Sequence, residues 1–150
     1  MISIIDCNIG NIGSVVNMFK HVGCSTNVIS TTNEVLTAQK LVLPGVGNWA
    51  QGVRQLHEND LTEAIKEAVL SEKTPFMGIC LGMQLLFESS DEGHGNGLSL
   101  VPGIITQFDF NKLQRERYKN LDPLPVPHMG WNYVKQYNKR DPVLSNLPRD

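Results

Sequence analysis

The stretch that decides the fold is residues 75–84, Pro-Phe-Met-Gly-Ile-Cys-Leu-Gly-Met-Gln. An apolar run ends at Cys80, and a run typical of a helix begins directly after it. Gly78 and Gly82 flank the cysteine in the pattern Gly-x-Cys-x-Gly. This pattern matches the nucleophile elbow, a sharp strand-to-helix turn, with cysteine in place of serine. The sequence therefore predicts a strand, an exposed thiol at the turn and a helix behind it.

The residues around this turn alternate between strand and helix patterns. Four short apolar runs are predicted to be strands, over residues 2–6, 26–30, 40–43 and 74–79. Three helices are predicted, one between its cap Asn11 and Gly23, one opened by Asp60 and Glu63, and one over residues 81–88. The alternation predicts an α/β fold, a doubly wound and mostly parallel sheet with helices on both faces. Two further strands are predicted over 104–110 and 132–137.

Cys80 is the candidate nucleophile. The turn exposes its sulfur, and the start of a helix supplies unpaired N–H groups that favour thiolate over thiol. The alternative is a buried structural cysteine, which behaves as a small hydrophobic residue. The strand before Cys80 and the helix after it favour the nucleophile, whereas Cys7 and Cys24 lack this framing.

A second strand end carries the sequence Leu-Pro-Gly-Val-Gly, residues 43–47. Gly45, Val46 and Gly47, here called the oxyanion loop, offer backbone N–H groups to an anion. Acyl transfer at Cys80 would create such an anion, and the Leu81 N–H would be the other donor. Taken alone, the same residues also fit a plain Pro-Gly turn.

The composition of the chain argues against several functional classes of protein. A chain of 150 residues favours one domain, and its net charge of −2 gives no attraction to nucleic acid or membrane. The three widely spaced cysteines predict neither a disulfide framework nor a metal site, and they fit the reducing cytoplasm. No cofactor is expected, because Asn8 stands where a dinucleotide-binding loop would need its first glycine.

These motifs resemble the triad-type, class I glutamine amidotransferases. Residues 78–84 look like their nucleophile motif and residues 44–47 like their oxyanion loop. Residues 127–132, Pro-His-Met-Gly-Trp-Asn, are similar to a segment of the glutaminase subunits of imidazole glycerol phosphate synthases. The resemblance implies the flavodoxin-like fold of that family. It also implies hydrolysis of glutamine, with ammonia passed to a (β/α)₈ barrel synthase subunit in histidine biosynthesis.

The resemblance also implies roles for further residues. Gln84 and Glu92 would hold the glutamine substrate. The surface for the synthase partner of the heterodimer would include Asn11, His128, Met129 and Trp131.

The chain departs from the family pattern in two places. Cys7-Asn8 stands where the family usually has Tyr-Gly, which keeps open a paralogous subunit that feeds ammonia to another acceptor, such as a sugar. The His and Glu of the triad are also not found, so we expect residues 1–150 to form one glutaminase domain that is incomplete at its C-terminus and inactive. Their absence equally keeps open a non-catalytic binding module on the same fold.

Overall fold

The computed structural model describes residues 1–109 and 130–132. Two compact units divide the chain, Met1–Phe108 and Asp109–Asp150, and the elements below all belong to the first. Within the described residues, none of the helices has both the length and the apolar character that a membrane span requires.

A four-stranded parallel sheet forms the centre of the first unit. Its strands are β1 (Ile2–Ile5), β2 (Thr26–Ile29), β3 (Leu41–Gly45) and β4 (Phe76–Cys80). They lie in the order β2-β1-β3-β4, and every neighbouring pair is parallel. This confirms the predicted α/β fold, because the order is that of the flavodoxin-like sheets over these four strands. β1 and β3 are the inner strands, and they account for Ile4, Ile5, Leu41 and Leu43, which are all buried.

Helices connect the strands. They are α1 (Ile12–His21), α2 (Thr32–Leu36), α3 (Trp49–Glu58), α4 (Leu61–Leu70) and the one-turn α5 (Leu81–Gln84). The step from β1 to β2 and the step from β3 to β4 run in opposite directions across the sheet. Right-handed connections therefore place α1 on one face and α3 and α4 on the other. The main core lies on the second face, since α1 has no buried residue.

The predicted helix over residues 81–88 is too long, because α5 ends at Gln84. The carbonyl groups of Leu85, Leu86 and Glu88 accept hydrogen bonds from the amides of Leu98, Leu100 and Gly97. Those carbonyls are thereby used in pairing with a later segment rather than in a helix. A pair of two-residue strands follows, β5 (Ser89–Ser90) and β6 (Ile104–Ile105). The strand predicted over 104–110 is thus much shorter among the described residues, and 132–137 lies outside them apart from Asn132, which is in no strand.

Two helices were not predicted, and one helix begins at its predicted residue without the expected side-chain hydrogen bond. α2 begins with a capping box between Thr31 and Glu34, and α3 begins at the side-chain cap Asn48. α3 escapes prediction because Gly52 lies in its middle and lowers its helix propensity. Asp60 lies at the N-cap position of α4, where the helix was predicted to begin, but its backbone is left-handed and its side chain makes no capping hydrogen bond.

Candidate active site at the end of β4

Cys80 joins β4 to α5 in a strained backbone conformation. Its φ is 55° and its ψ is −116°, a region that residues other than glycine rarely adopt. Such a conformation costs about 1–3 kcal/mol and survives only where the surrounding structure enforces it. The side chain is exposed. The predicted elbow is therefore present, although α5 is a single turn and contributes only one turn's dipole.

Two glycines make the elbow sterically possible. A Cβ added at Gly78 would lie 2.6 Å from the backbone of Met83, and one added at Gly82 would overlap the Leu43 carbonyl oxygen. Strand β4, helix α5 and strand β3 thus meet at distances that only glycine permits. This is the physical reason for the Gly-x-Cys-x-Gly pattern.

β3 runs two residues further than the predicted 40–43, and this places Gly45 directly opposite Cys80. Pro44 pairs with Ile79 and Gly45 with Cys80. A proline is tolerated there because β1 pairs with β3 only at Leu41 and Val42, so Pro44 needs no donor on that side. A Cβ on Gly45 would lie 2.8 Å from the Gly82 nitrogen. The oxyanion loop consequently begins beside the thiol.

The amide of Val46 already has a hydrogen-bond partner within the protein. Its N–H donates to the carbonyl of Ile9, just after β1. Gly47 follows with a φ of 106°, which favours glycine, and Asn48 then caps α3 by accepting a hydrogen bond from the Gln51 amide at 2.9 Å. In this conformation the loop's central amide already has a partner, so it would have to turn before it could bind an anion.

Gln84 and Glu92, the two predicted substrate residues, line one cleft of about 340 Å³. Gln84 lies one turn after Cys80 on α5. The other lining residues are Ser90, Asp91, Ile105, Thr106, Gln107 and Phe108. A carboxylate oxygen of Glu92 also accepts a hydrogen bond from the Trp49 backbone amide at 3.2 Å, a contact that the sequence did not indicate.

The residues predicted to face a partner are only partly described. Asn11 is exposed and caps α1 by accepting a hydrogen bond from the Ser14 amide at 3.2 Å. Trp131 is fully exposed, and it belongs to the second unit. His128 and Met129 lie outside the described residues.

The three cysteines differ in their surroundings. Cys80 and Cys24 are exposed and free, whereas Cys7 is buried. Burial, with a smaller effect from the nearby Asp6 carboxylate, raises the pKa of the Cys7 thiol to about 11, so it stays protonated at neutral pH. His21 lies in the last turn of α1 and His57 in the last turn of α3. In the described part of the chain, no group of three or more His, Cys, Asp or Glu side chains is placed to hold a metal ion.

The class of this protein follows from comparison with known families. The model of the class-I glutamine amidotransferase family matches residues 3–149, and the chain belongs to that family.

Individual proteins similar to this chain indicate a narrower group within the family. The chain is 42% identical to the imidazole glycerol phosphate synthase subunit HisH of Sulfurimonas denitrificans, across 100% of this chain and 68% of that protein. It is 39% identical to subunit HisH 2 of Methanococcus maripaludis, across 98% of this chain and 67% of that protein. It is 42% identical to HisH of Bacillus cereus strain AH187, across 91% of this chain and 59% of that protein. The chain thus spans about two thirds or less of the length of these relatives.

Proposed function

We propose that this chain carries the nucleophile and the glutamine cleft of a glutaminase that supplies ammonia to a synthase. The observation that carries the proposal is the strained backbone of Cys80 at the end of a parallel strand, directly opposite Gly45. Strain of this kind concentrates at functional sites. The family and its HisH relatives give this cysteine a reaction to perform.

The reaction that fits the site is acyl transfer through a thioester. The Cys80 thiolate attacks the carboxamide carbon of glutamine, forming an S–C bond and a tetrahedral oxyanion. When the oxyanion collapses, the C–N bond breaks and the nitrogen leaves as ammonia, taking up the proton that the Cys80 thiol lost on ionising. Water then hydrolyses the glutamyl thioester, which releases glutamate and restores the thiol.

The oxyanion would be stabilised by backbone N–H groups. Leu81 supplies one as the first residue of α5, because the first amides of a helix have no partner within it. The oxyanion loop, Gly45 to Gly47, would supply the other once the Val46 amide leaves Ile9. Loss of one such donor costs about 3–4 kcal/mol of transition-state stabilisation, so this rearrangement would control the rate.

The cleft beside α5 would hold the substrate. Gln84 offers an amide, and Glu92 offers a carboxylate that is complementary to the α-ammonium group of glutamine. Gln84 is the last residue of α5, directly after the elbow. Glu92 closely follows the strand β5 along the chain.

The relatives are named as synthase subunits, and we extend that to a partner for this chain. The partner would be a (β/α)₈ barrel subunit in the cytoplasm that uses the ammonia to form imidazole glycerol phosphate. Asn11, His128, Met129 and Trp131 would contribute to the contact surface. Titration of the partner subunit with Trp131→Ala protein should show weaker binding than wild type, by about 2 kcal/mol, and an unchanged affinity would remove Trp131 from the interface.

The thiol assignment is tested by labelling with the chloromethyl ketone analogue of glutamine, followed by peptide mapping. Attack by sulfur forms an S–C bond and expels chloride. Cys24 is the matched control because it is also exposed and free, and Cys7 should remain unlabelled because its pKa is about 11. We expect Cys80 to react faster than Cys24. Equal rates at the two exposed cysteines would contradict the proposed function.

A further inference from the structure

The loop of residues 91–97 wraps the first turn of α3. The indole Nε1–H of Trp49 donates to the carbonyl of Gly95 at 3.1 Å, and Trp49 is completely buried. A Cβ added at Gly93 would lie 3.0 Å from the Ala50 Cβ, and one at Gly95 would lie 2.8 Å from Val53 Cγ1. The alternating glycines of this loop therefore let its backbone lie directly on α3.

Glu92 adds a charged contact to this packing. Its carboxylate Oε2 accepts a hydrogen bond from the Trp49 backbone N–H at 3.2 Å, and its own N–H donates to Ser90 Oγ at 3.1 Å. Trp49 is the first residue of α3 and follows the cap Asn48. Asn48 in turn follows Gly47, so Glu92 holds the backbone two residues beyond the end of the oxyanion loop.

The same carboxylate also borders the glutamine cleft with Gln84. Its side chain is exposed, so an oxygen can meet a ligand while the other keeps the Trp49 amide. The Glu92 carboxylate thus contacts both the substrate cleft and α3, the helix that begins just after the oxyanion loop.

We propose that Glu92 is a positioning residue as well as a substrate contact: one carboxylate oxygen fixes the start of α3, and with it the end of the oxyanion loop, while the other receives the α-ammonium group of glutamine. The inference rests on the proposed function, because it assigns a second role to a residue of that site. Substrate binding and loop position are then coupled through one side chain.

Two variants separate the two roles. Glu92→Gln removes the charge and keeps an oxygen that can accept from Trp49, whereas Glu92→Ala removes both. The probes are the chloromethyl ketone analogue of glutamine and the matched chloromethyl ketone without the α-amino group. Wild-type Cys80 should react with the first at least about tenfold faster, the factor that one charged hydrogen bond supplies.

Glu92→Gln should lose this preference while reacting with the amine-free probe within about twofold of wild type. Glu92→Ala should lose the preference and also react with the amine-free probe about tenfold more slowly, since the loop end is no longer held. Equal rates of the two variants with the amine-free probe would overturn the positioning role. Retention of the preference in both variants would overturn the ammonium contact.

Amide hydrogen exchange keeps this result separate from the proposed function. The Trp49 amide should exchange about tenfold faster in Glu92→Ala than in wild type, and at the wild-type rate in Glu92→Gln. Circular dichroism and the Cys24 labelling rate report whether each variant is folded. Unchanged exchange at Trp49 in folded Glu92→Ala protein would overturn the inference even if Cys80 is the nucleophile. Slow, non-selective labelling of wild-type Cys80 would instead count against the proposed function.

Discussion

Replacing Gly82 by alanine should destabilise this protein through one identifiable collision. The added Cβ would overlap the Leu43 carbonyl oxygen and lie 2.8 Å from the Leu43 carbonyl carbon, well inside the ~3.5 Å of an ordinary contact. Both atoms belong to the backbone of β3, so no side-chain rotation can relieve the overlap. Overpacking of a core typically costs about 1–3 kcal/mol, and we expect the upper end of that range here.

The measurement is urea unfolding, with Gly13→Ala as the matched control. Gly13 also lies in a helix, α1, and an added Cβ there meets no atom within 4 Å. Gly13→Ala should therefore stabilise the protein by about 0.5–1 kcal/mol, because alanine has the higher helix propensity. Gly82→Ala should also slow labelling of Cys80, since α5 has to move away from β3. A Gly82→Ala protein as stable as wild type would refute the steric account of the elbow.

Two further predictions concern the turn after β1. Asn8 has a φ of 63°, and its backbone N–H donates to the Asp6 carboxylate at 3.0 Å. In urea unfolding, Asn8→Ala should therefore be less stable than wild type by about 1 kcal/mol, while Asn8→Gly should match wild type. Equal losses of stability in the two variants would contradict a conformational cause. The folded protein binds the Cys7 proton more tightly than the unfolded chain, whose thiol has its usual pKa of 9.0. The stability that this tighter binding contributes is complete below pH 9 and declines as the pH rises toward 11. Across that range, the free energy of unfolding should therefore fall more steeply for wild type than for Cys7→Ala. Parallel curves for the two proteins would contradict the raised pKa of Cys7.

The elbow and the sheet could be predicted from sequence because each has a strong local signal. Buried parallel strands are continuous apolar runs, and Gly-x-Cys-x-Gly has one steric explanation. The end of β3 could not be predicted, since Pro44 and Gly45 normally stop a strand. Their place in the sheet depends on which neighbours β3 pairs with, and that is a property of the assembled fold.

The contacts around α3 also could not be predicted from the local sequence. Its first turn is stabilised by Glu92 and Gly95, which lie 43 and 46 residues further along the chain from Trp49. The alternating Gly93, Gly95 and Gly97 were the available signal, because repeated glycine in a loop indicates close backbone approach. Both predicted substrate residues do line one cleft, but the role of Glu92 at α3 is visible only in the structure.

The turn after β1, which contains Cys7 and Asn8, adjoins the proposed oxyanion loop. Asn8 keeps a left-handed backbone, the conformation that a glycine would also adopt, and the following residue Ile9 is the acceptor for the Val46 amide. The turn thus has a backbone in which the Ile9 carbonyl reaches the Val46 amide. Ile9 is buried in the core, so we expect the Val46 amide to be released by rotation of a peptide within the loop rather than by movement of β1. In the proposed glutaminase, the turn after β1 would oppose formation of the oxyanion site, and the contact of Glu92 with Trp49 would fix the other end of the same loop.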